Sequence, residues 1–309
     1  MSPYDGKIQP SSLGEGCLEA YLPNLYATSH AANLLELDNG DILCTWFSGS
    51  GEGNPDTNIV MSRLPFGADR WTVPMDLSGD PERSEQNPVL FLAPDGEIWL
   101  FHTSNEPHNQ KTSRICVRKS RDDGYTWGPP AVLFRKPGIF IRQPCVVLSN
   151  GDWLLPAYYC TWNGDYSVVK ISSDRGKNWK EYPVAGSTDR VQMDVVELGD
   201  KALFAIFRSR IADRIYISFS KDGGHTWSVP QKSGLPNNNS SIQMARLANG
   251  HIVVAYNDST LERDQFRVRE KDGKLSKKPL RTPLTLAVSE DGGKTWPHRS
   301  EEHTSELQS

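Results

Sequence analysis

Ser220-Lys221-Asp222-Gly223-Gly224-His225-Thr226-Trp227 is one of a set of octads written Ser-x-Asp-x-Gly-x-Thr-Trp. The same pattern stands at Ser120 to Trp127 and at Ser289 to Trp296, and a fourth copy, Ser172 to Trp179, carries Asn178 in place of Thr. A worn copy ends at Trp71, so successive tryptophans are 56, 52, 48 and 69 residues apart. A period near 50 residues is that of a repeated supersecondary unit. The octad has the chemistry of a turn: Ser and Asp oxygens accept from nearby backbone N–H groups, Gly supplies a positive φ, and Trp buries a large face. Its single Asp lacks the ligand density of a calcium loop, so no metal is expected.

Working outward, each octad is preceded by the same series. Tight turns stand at Asn39-Gly40, Asp95-Gly96, Asn150-Gly151 and Asn249-Gly250, with Leu198-Gly199-Asp200 in the matching place of the fourth unit. Apolar runs flank them, as in ILCTWF and IVVAYN, and a third run enters the octad, as in RIYISFS. Asn-Gly and Asp-Gly between such runs are hairpin signals. Four antiparallel strands per unit predict an all-β chain built as a β-propeller. Five blades are expected at about 27–80, 81–136, 137–185, 186–235 and 236–298, the fifth stopping before its outer strand. A six-bladed ring with its last blade truncated is expected for residues 1–298 as a single domain, a closed ring of five being the alternative. A first strand is expected within LEAYLPNLY, and Asp258 to Arg281 reads as a long irregular insertion, either solvated or a lid. The end, Arg299 to Ser309, resembles a translated sequencing adapter and is set aside as non-native.

A net charge of −4 over 309 residues argues against a nucleic-acid surface or a polybasic membrane anchor. The five Cys show no CxxC spacing, and Cys44, Cys116, Cys145 and Cys160 lie in or beside apolar runs as expected buried thiols. MSPYDGKIQP has no apolar signal core, so a cytoplasmic location is expected, with no cofactor.

The octads on four-stranded units resemble the Asp-box, or bacterial neuraminidase repeat, sialidase superfamily. His30-Ala31, Leu37-Asp38-Asn39-Gly40-Asp41, Trp46-Phe47-Ser48-Gly49, Glu52-Gly53 and Pro55-Asp56 look like its sialidase-like branch. The resemblance implies an exo-acting glycoside hydrolase on an acidic or deoxy sugar such as sialic acid. It implies three arginines on the substrate carboxylate, a Tyr–Glu nucleophile late in the chain, beyond His298, and an acid near the first blade. A planar carboxylate is best held by guanidinium forks. The chain departs from the family in carrying His30-Ala31-Ala32 where sialidases have Arg-Ile-Pro. A polysaccharide lyase or rhamnosidase using His30, and a carbohydrate-binding propeller without catalysis, are the alternatives.

In a propeller the starts of the first strands and the ends of the second strands share one face. That topology selects His30, Gln86, Asn87, Arg142, Gln143, Gln192, Asp194, Ser241 and Gln243 from strand starts. It selects Glu52, Asp56, His102, Tyr158, Tyr159, Arg208 and Asn257 from strand ends and the loops after them. Glu52 or Asp56, in GSGEGNPD, is the expected general acid, unless Asp56 merely closes its turn. His30 is a base or sugar donor, or structural. Arg142 and Arg208 are expected on an anion, or else in surface ion pairs. Gln143, Asn87, Asp194, Tyr158, Gln243 and Asn257 complete a polar set suited to a hydroxylated ligand.

Overall fold

The computed structural model describes residues 4–11, 14–263, 266–271 and 274–302. The chain comprises two compact units, residues 1–144 and 145–309. The first holds two four-stranded antiparallel sheets. Blade I is Thr28–Glu36, Ile42–Gly49, Asn58–Leu64 and Met75–Asp76, and blade II is Ser84–Leu92, Ile98–Glu106, Asn109–Ser120 and Ala131–Phe134. The second unit holds three. Blade III is Val146–Val147, Trp153–Tyr159, Tyr166–Ser172 and Lys180–Pro183. Blade IV is Arg190–Gly199, Ala202–Ser209, Arg214–Ser220 and Gln231–Pro236; blade V is Gln243–Arg246, Ile252–Asn257, Leu284–Ser289 and His298–Glu302.

Blade V differs from expectation. Its outer strand exists and is made by His298–Glu302, in register from Val288↔His298 to Leu284↔Glu302. The third strand offers a row of unpaired amides and carbonyls, and backbone pairing with the chain that follows is tolerant of side-chain identity. Residues 303–309 lie outside the described residues, as do 264–265 and 272–273 of the insertion. The insertion is a 3-10 turn, Leu261–Arg263, and a hairpin, Phe266–Lys271 with Lys274–Pro279. Within LEAYLPNLY only Leu18–Glu19 is extended, paired with Gln9–Pro10.

The octads form the expected turns, and in a common pattern. The Ser hydroxyl accepts from the box Gly N–H at 2.8–2.9 Å in all four copies. One Asp oxygen accepts from the backbone N–H at the Thr position, at 2.8–2.9 Å. The other accepts from the Thr hydroxyl at 2.6 Å, or from Asn178 Nδ2 at 2.7 Å, which is why Asn substitutes there. These bonds hold the Asp122, Asp174 and Asp291 carboxyls down at about 2, the partner at the Thr or Asn position being the main cause.

Three of the boxes also reach the preceding blade. Trp127 packs on the blade I–II core with Leu43, Ile59 and Leu100, Trp227 on the III–IV core and Trp296 on the IV–V core. The second strand of blade III, Trp153–Tyr159, is buried along its whole length, whereas that of blade V, Ile252–Asn257, alternates buried and half-buried residues. First strands are tied side by side: Asn33 Oδ1 accepts from Leu90 N at 2.9 Å, and Asp194 Oδ2 from Met244 N at 2.7 Å. The cysteines Cys44, Cys116, Cys145 and Cys160 are buried and in no disulfide.

Candidate functional site

The first strands of blades I, II and IV carry a bulge at their start. Register shifts fall between His30 and Asn33, Gln86 and Val89, and Val191 and Asp194, and Ala31, Asn87 and Gln192 there have φ of 57°, 49° and 51°. A bulge re-aims the side chains beside it, and non-Gly residues in this region mark constrained positions.

In the first unit, His30 stacks on Phe47 with ring centroids 5.5 Å apart. It lines a cavity of about 410 Å³ with Trp46, Cys44, Tyr21 and Asn24. Asp56 accepts from Ser50 N at 3.1 Å and from Ser50 Oγ at 2.8 Å, so its carboxylate closes its own loop. Glu52 is exposed in the same loop, whose Gly53 carbonyl accepts from His108 N at 3.0 Å. Asn87 is half-buried, and Gln143 is buried at 1% exposure. Arg142 Nη2 donates to the Ala32 carbonyl at 3.2 Å. His102 is fully buried, with Nε2 3.4 Å from Glu85 Oε1, an ion-pair separation inside blade II and out of reach of a ligand.

The second unit brings the larger polar group together. Arg208, at the end of its strand, donates from Nε to Asn239 Oδ1 at 2.8 Å and from Nη1 to Gln192 Oε1 at 3.2 Å. Gln192 also bonds Tyr158, whose phenol is pushed up to about 12, chiefly by burial. Arg210 lies 5.9 Å over the Tyr158 ring and is fixed by Asp165 at 2.9 Å. One guanidinium held edge-on by two amides, with a second beside it, suits a planar anion. Asn257 bridges Asn238 at 3.3 Å and the Arg281 carbonyl at 2.9 Å, while Gln243 is exposed on its strand. Asp194 is spent on the backbone amides of Val195 and Met244, which leaves it a structural tie rather than a ligand group.

Asn239 and Arg210 are additions that the residue reading did not supply. The run Asn237-Asn238-Asn239 was a signal for them, since Asn tolerates the left-handed backbone that Asn239 adopts at φ 60°. Three tyrosine–carboxylate pairs occur among the described residues, Tyr26 donating to Asp76 at 3.0 Å in the first unit and two more standing in the second. Tyr159 donates to Glu181 at 2.6 Å and Tyr216 to Asp213 at 2.9 Å, and burial with the acceptor carboxylate raises both phenols. Tyr159 is 1% exposed, so this pair serves packing rather than nucleophilic attack.

Comparison with known proteins is consistent with this architecture. The family described as BNR repeat-like domain matches residues 40–303. A sialidase of Bacteroides fragilis is 26% identical over 212 residues, which are 64% of this chain and 36% of that protein. The chain therefore spans little more than a third of that relative's length. The Hadza microbial sialidase Hz136 superposes with a TM-score of 0.72 at 15% identity, over 89% of this chain and 58% of the other. An intramolecular trans-sialidase from Ruminococcus gnavus, solved with oseltamivir carboxylate, gives 0.67 at 13% identity, over 90% and 84%. A protein of unknown function from Dyadobacter fermentans gives 0.64 at 16%, over 90% and 95%. These likenesses show an all-β propeller fold of the sialidase kind, with five blades in this chain.

Proposed function

Because the chain belongs to the BNR repeat-like domain family, we propose that it acts as a sialidase-like glycoside hydrolase, removing a terminal acidic or deoxy sugar such as sialic acid. The observation that carries the reading is the Arg208 guanidinium, held by Asn239 and Gln192 beside Tyr158. A fixed fork binds a carboxylate through two parallel charge-assisted bonds. The relatives named sialidases support the same substrate class.

In this reading the loop around Glu52 supplies the proton to the leaving glycosidic oxygen. Glu52 is the side chain free to approach a substrate, while Asp56 shapes the loop through Ser50. Within the second unit Arg208 anchors the anion, with Arg210 as a further cation and Asn257 as a polar neighbour for hydroxyls. A six-bladed ring and a cytoplasmic location stand with the proposal. The 50-residue period supports the first, and a blade count in the longest natural form of the protein tests it.

Hydrolysis of a panel of aryl glycosides, with sialic acid and rhamnose among them, tests the activity. Release of one sugar, abolished in Glu52→Gln and weakened in Arg208→Ala, supports the hydrolase. Binding of a sugar without release from any member of the panel rejects it in favour of a lyase or a carbohydrate-binding propeller.

A further inference from the structure

Residues 266–281 of blade V hold seven Lys or Arg against two Asp or Glu, in a chain that is acidic overall. The hairpin register places Arg267 directly opposite Lys278. Like charges at opposed positions destabilise a strand pair, so the fold alone gives no reason for this pairing. Alternation puts Arg267 and Lys278 on one face, and Phe266 and Val268 on the other with Lys277 and Pro279. Lys277 is accounted for, its Nζ standing 4.1 Å over the Phe266 ring. Nearby acids are also engaged: Asp258 pairs with Arg263 at 2.7 Å, and Glu262 with Arg214 at 2.8 Å and Lys232 at 3.1 Å. Among the carboxylates whose side chains are described, none pairs with Arg267, Lys278 or Arg281.

The hairpin is rooted in the candidate site. Asn238 Nδ2 donates to the Leu280 carbonyl at 2.5 Å, Ser259 Oγ does the same at 2.5 Å, and Asn257 Nδ2 reaches the Arg281 carbonyl at 2.9 Å. The next residue, Asn239, holds Arg208. One asparagine run therefore fixes both the anion-binding arginine and the returning arm of a cationic hairpin.

We propose that this hairpin binds the anionic residues flanking the reacting sugar, so that the natural substrate is an acidic polysaccharide chain rather than an isolated neutral glycoside. The inference rests on the carbohydrate reading of the site. A repeating uronate or sialate chain would bring a second carboxylate to Arg267 and Lys278 and relieve their repulsion.

Polygalacturonate, neutral dextran and a DNA oligonucleotide are the probes, with binding measured by calorimetry on the full chain. The salt is raised from about 10 mM to about 150 mM, over which the screening length falls from about 30 Å to about 8 Å. Expected are binding of polygalacturonate that weakens with salt, no binding of dextran, and weaker binding of DNA. Arg267→Ser with Lys278→Ser should weaken polygalacturonate binding by roughly three- to tenfold, as the loss of two exposed charge contacts. The charge-preserving Arg267→Lys with Lys278→Arg should restore it. Unchanged binding in the serine variant, or DNA bound as tightly as polygalacturonate, overturns the proposal. Turnover of a small aryl glycoside reads the hydrolase separately and should not change in the serine variant. A silent glycoside panel with charge-dependent polygalacturonate binding rejects the hydrolase and leaves the hairpin's ligand standing.

Discussion

At Arg208 the guanidinium geometry, not the charge alone, is expected to matter. Arg208→Lys keeps the cation but loses the fork that Asn239 and Gln192 orient. A charge-assisted bond contributes about 1.5–3 kcal/mol, so KM for an acidic glycoside should rise by about ten- to a hundredfold. Asn239→Ala and Gln192→Ala leave the cation in place and should raise KM by a smaller factor, with kcat nearly unchanged; a fall in kcat alone would assign these amides to the chemistry instead. Strand topology made Arg208, Tyr158 and Asn257 legible in the sequence, because the end of a second strand can be counted from its turn. The partners were less legible. Asp194 and Gln192 are two residues apart across a bulge, and only the bulge decides that Asp194 turns to the amides of Val195 and Met244 while Gln192 meets Arg208. Glu52 and Asp56 present the same limit: nothing in GSGEGNPD shows that Ser50 takes Asp56 and leaves Glu52 exposed.

The Asp boxes are where local sequence says most about structure, since the Ser, Asp and Thr or Asn side chains bond within the octad and those bonds recur in each copy. That locality also explains what was missed. The boxes do not reveal that their glycine lies against the preceding blade, a contact between residues far apart in the chain. A Cβ on Gly224 would fall 2.6 Å from Leu154 Cδ1, at a φ of +91°. Gly96 has a similar φ of +84° with nothing within 4 Å, so the pair separates backbone strain from crowding. Gly96→Ala should cost about 1 kcal/mol, the left-handed penalty alone. Gly224→Ala should cost about 2–4 kcal/mol, with overpacking added. Denaturant melts of the two variants check this, and equal losses would remove the interblade role of the box. The insertion hairpin is illegible for a different reason: its apolar alternation stops after Phe266 and Val268, too short among Lys and Arg to stand as a period-2 signal.

For the molecule as a whole, shifted ionisable groups predict a stability plateau with two limbs. On the acid side, Asp122, Asp174 and Asp291 lie at about 2 against an ordinary 3.8. A depressed carboxyl contributes stability above its unfolded value and loses it as pH falls through the folded one, so this limb should run from about pH 4 down to about 2. On the alkaline side stands His102. Burial disfavours its charged form, but hydrogen bonding with Cys116 and the pairing with Glu85 outweigh this and raise it from 6.5 to about 9. A raised imidazole contributes fully below its unfolded value and loses that contribution as pH rises through the folded one, which sets this limb between pH 6.5 and about 9. Removing His102 alone would strand Glu85 in the interior at a cost of about 3–5 kcal/mol. The informative variant therefore neutralises both, as Glu85→Gln with His102→Gln, at sites the proposed chemistry does not use. Unfolding midpoints measured from about pH 2 to about 9.5 should lose the alkaline limb in this variant and keep the acid one. An alkaline limb of unchanged depth would assign it to other groups and leave the buried pair without a role in pH dependence. The acid limb has its own control in Asp122→Asn, which keeps one oxygen to accept from the Thr126 N–H, puts an amide where the other oxygen accepted from the Thr126 hydroxyl, and no longer titrates, so it should shift that limb while leaving the alkaline one in place.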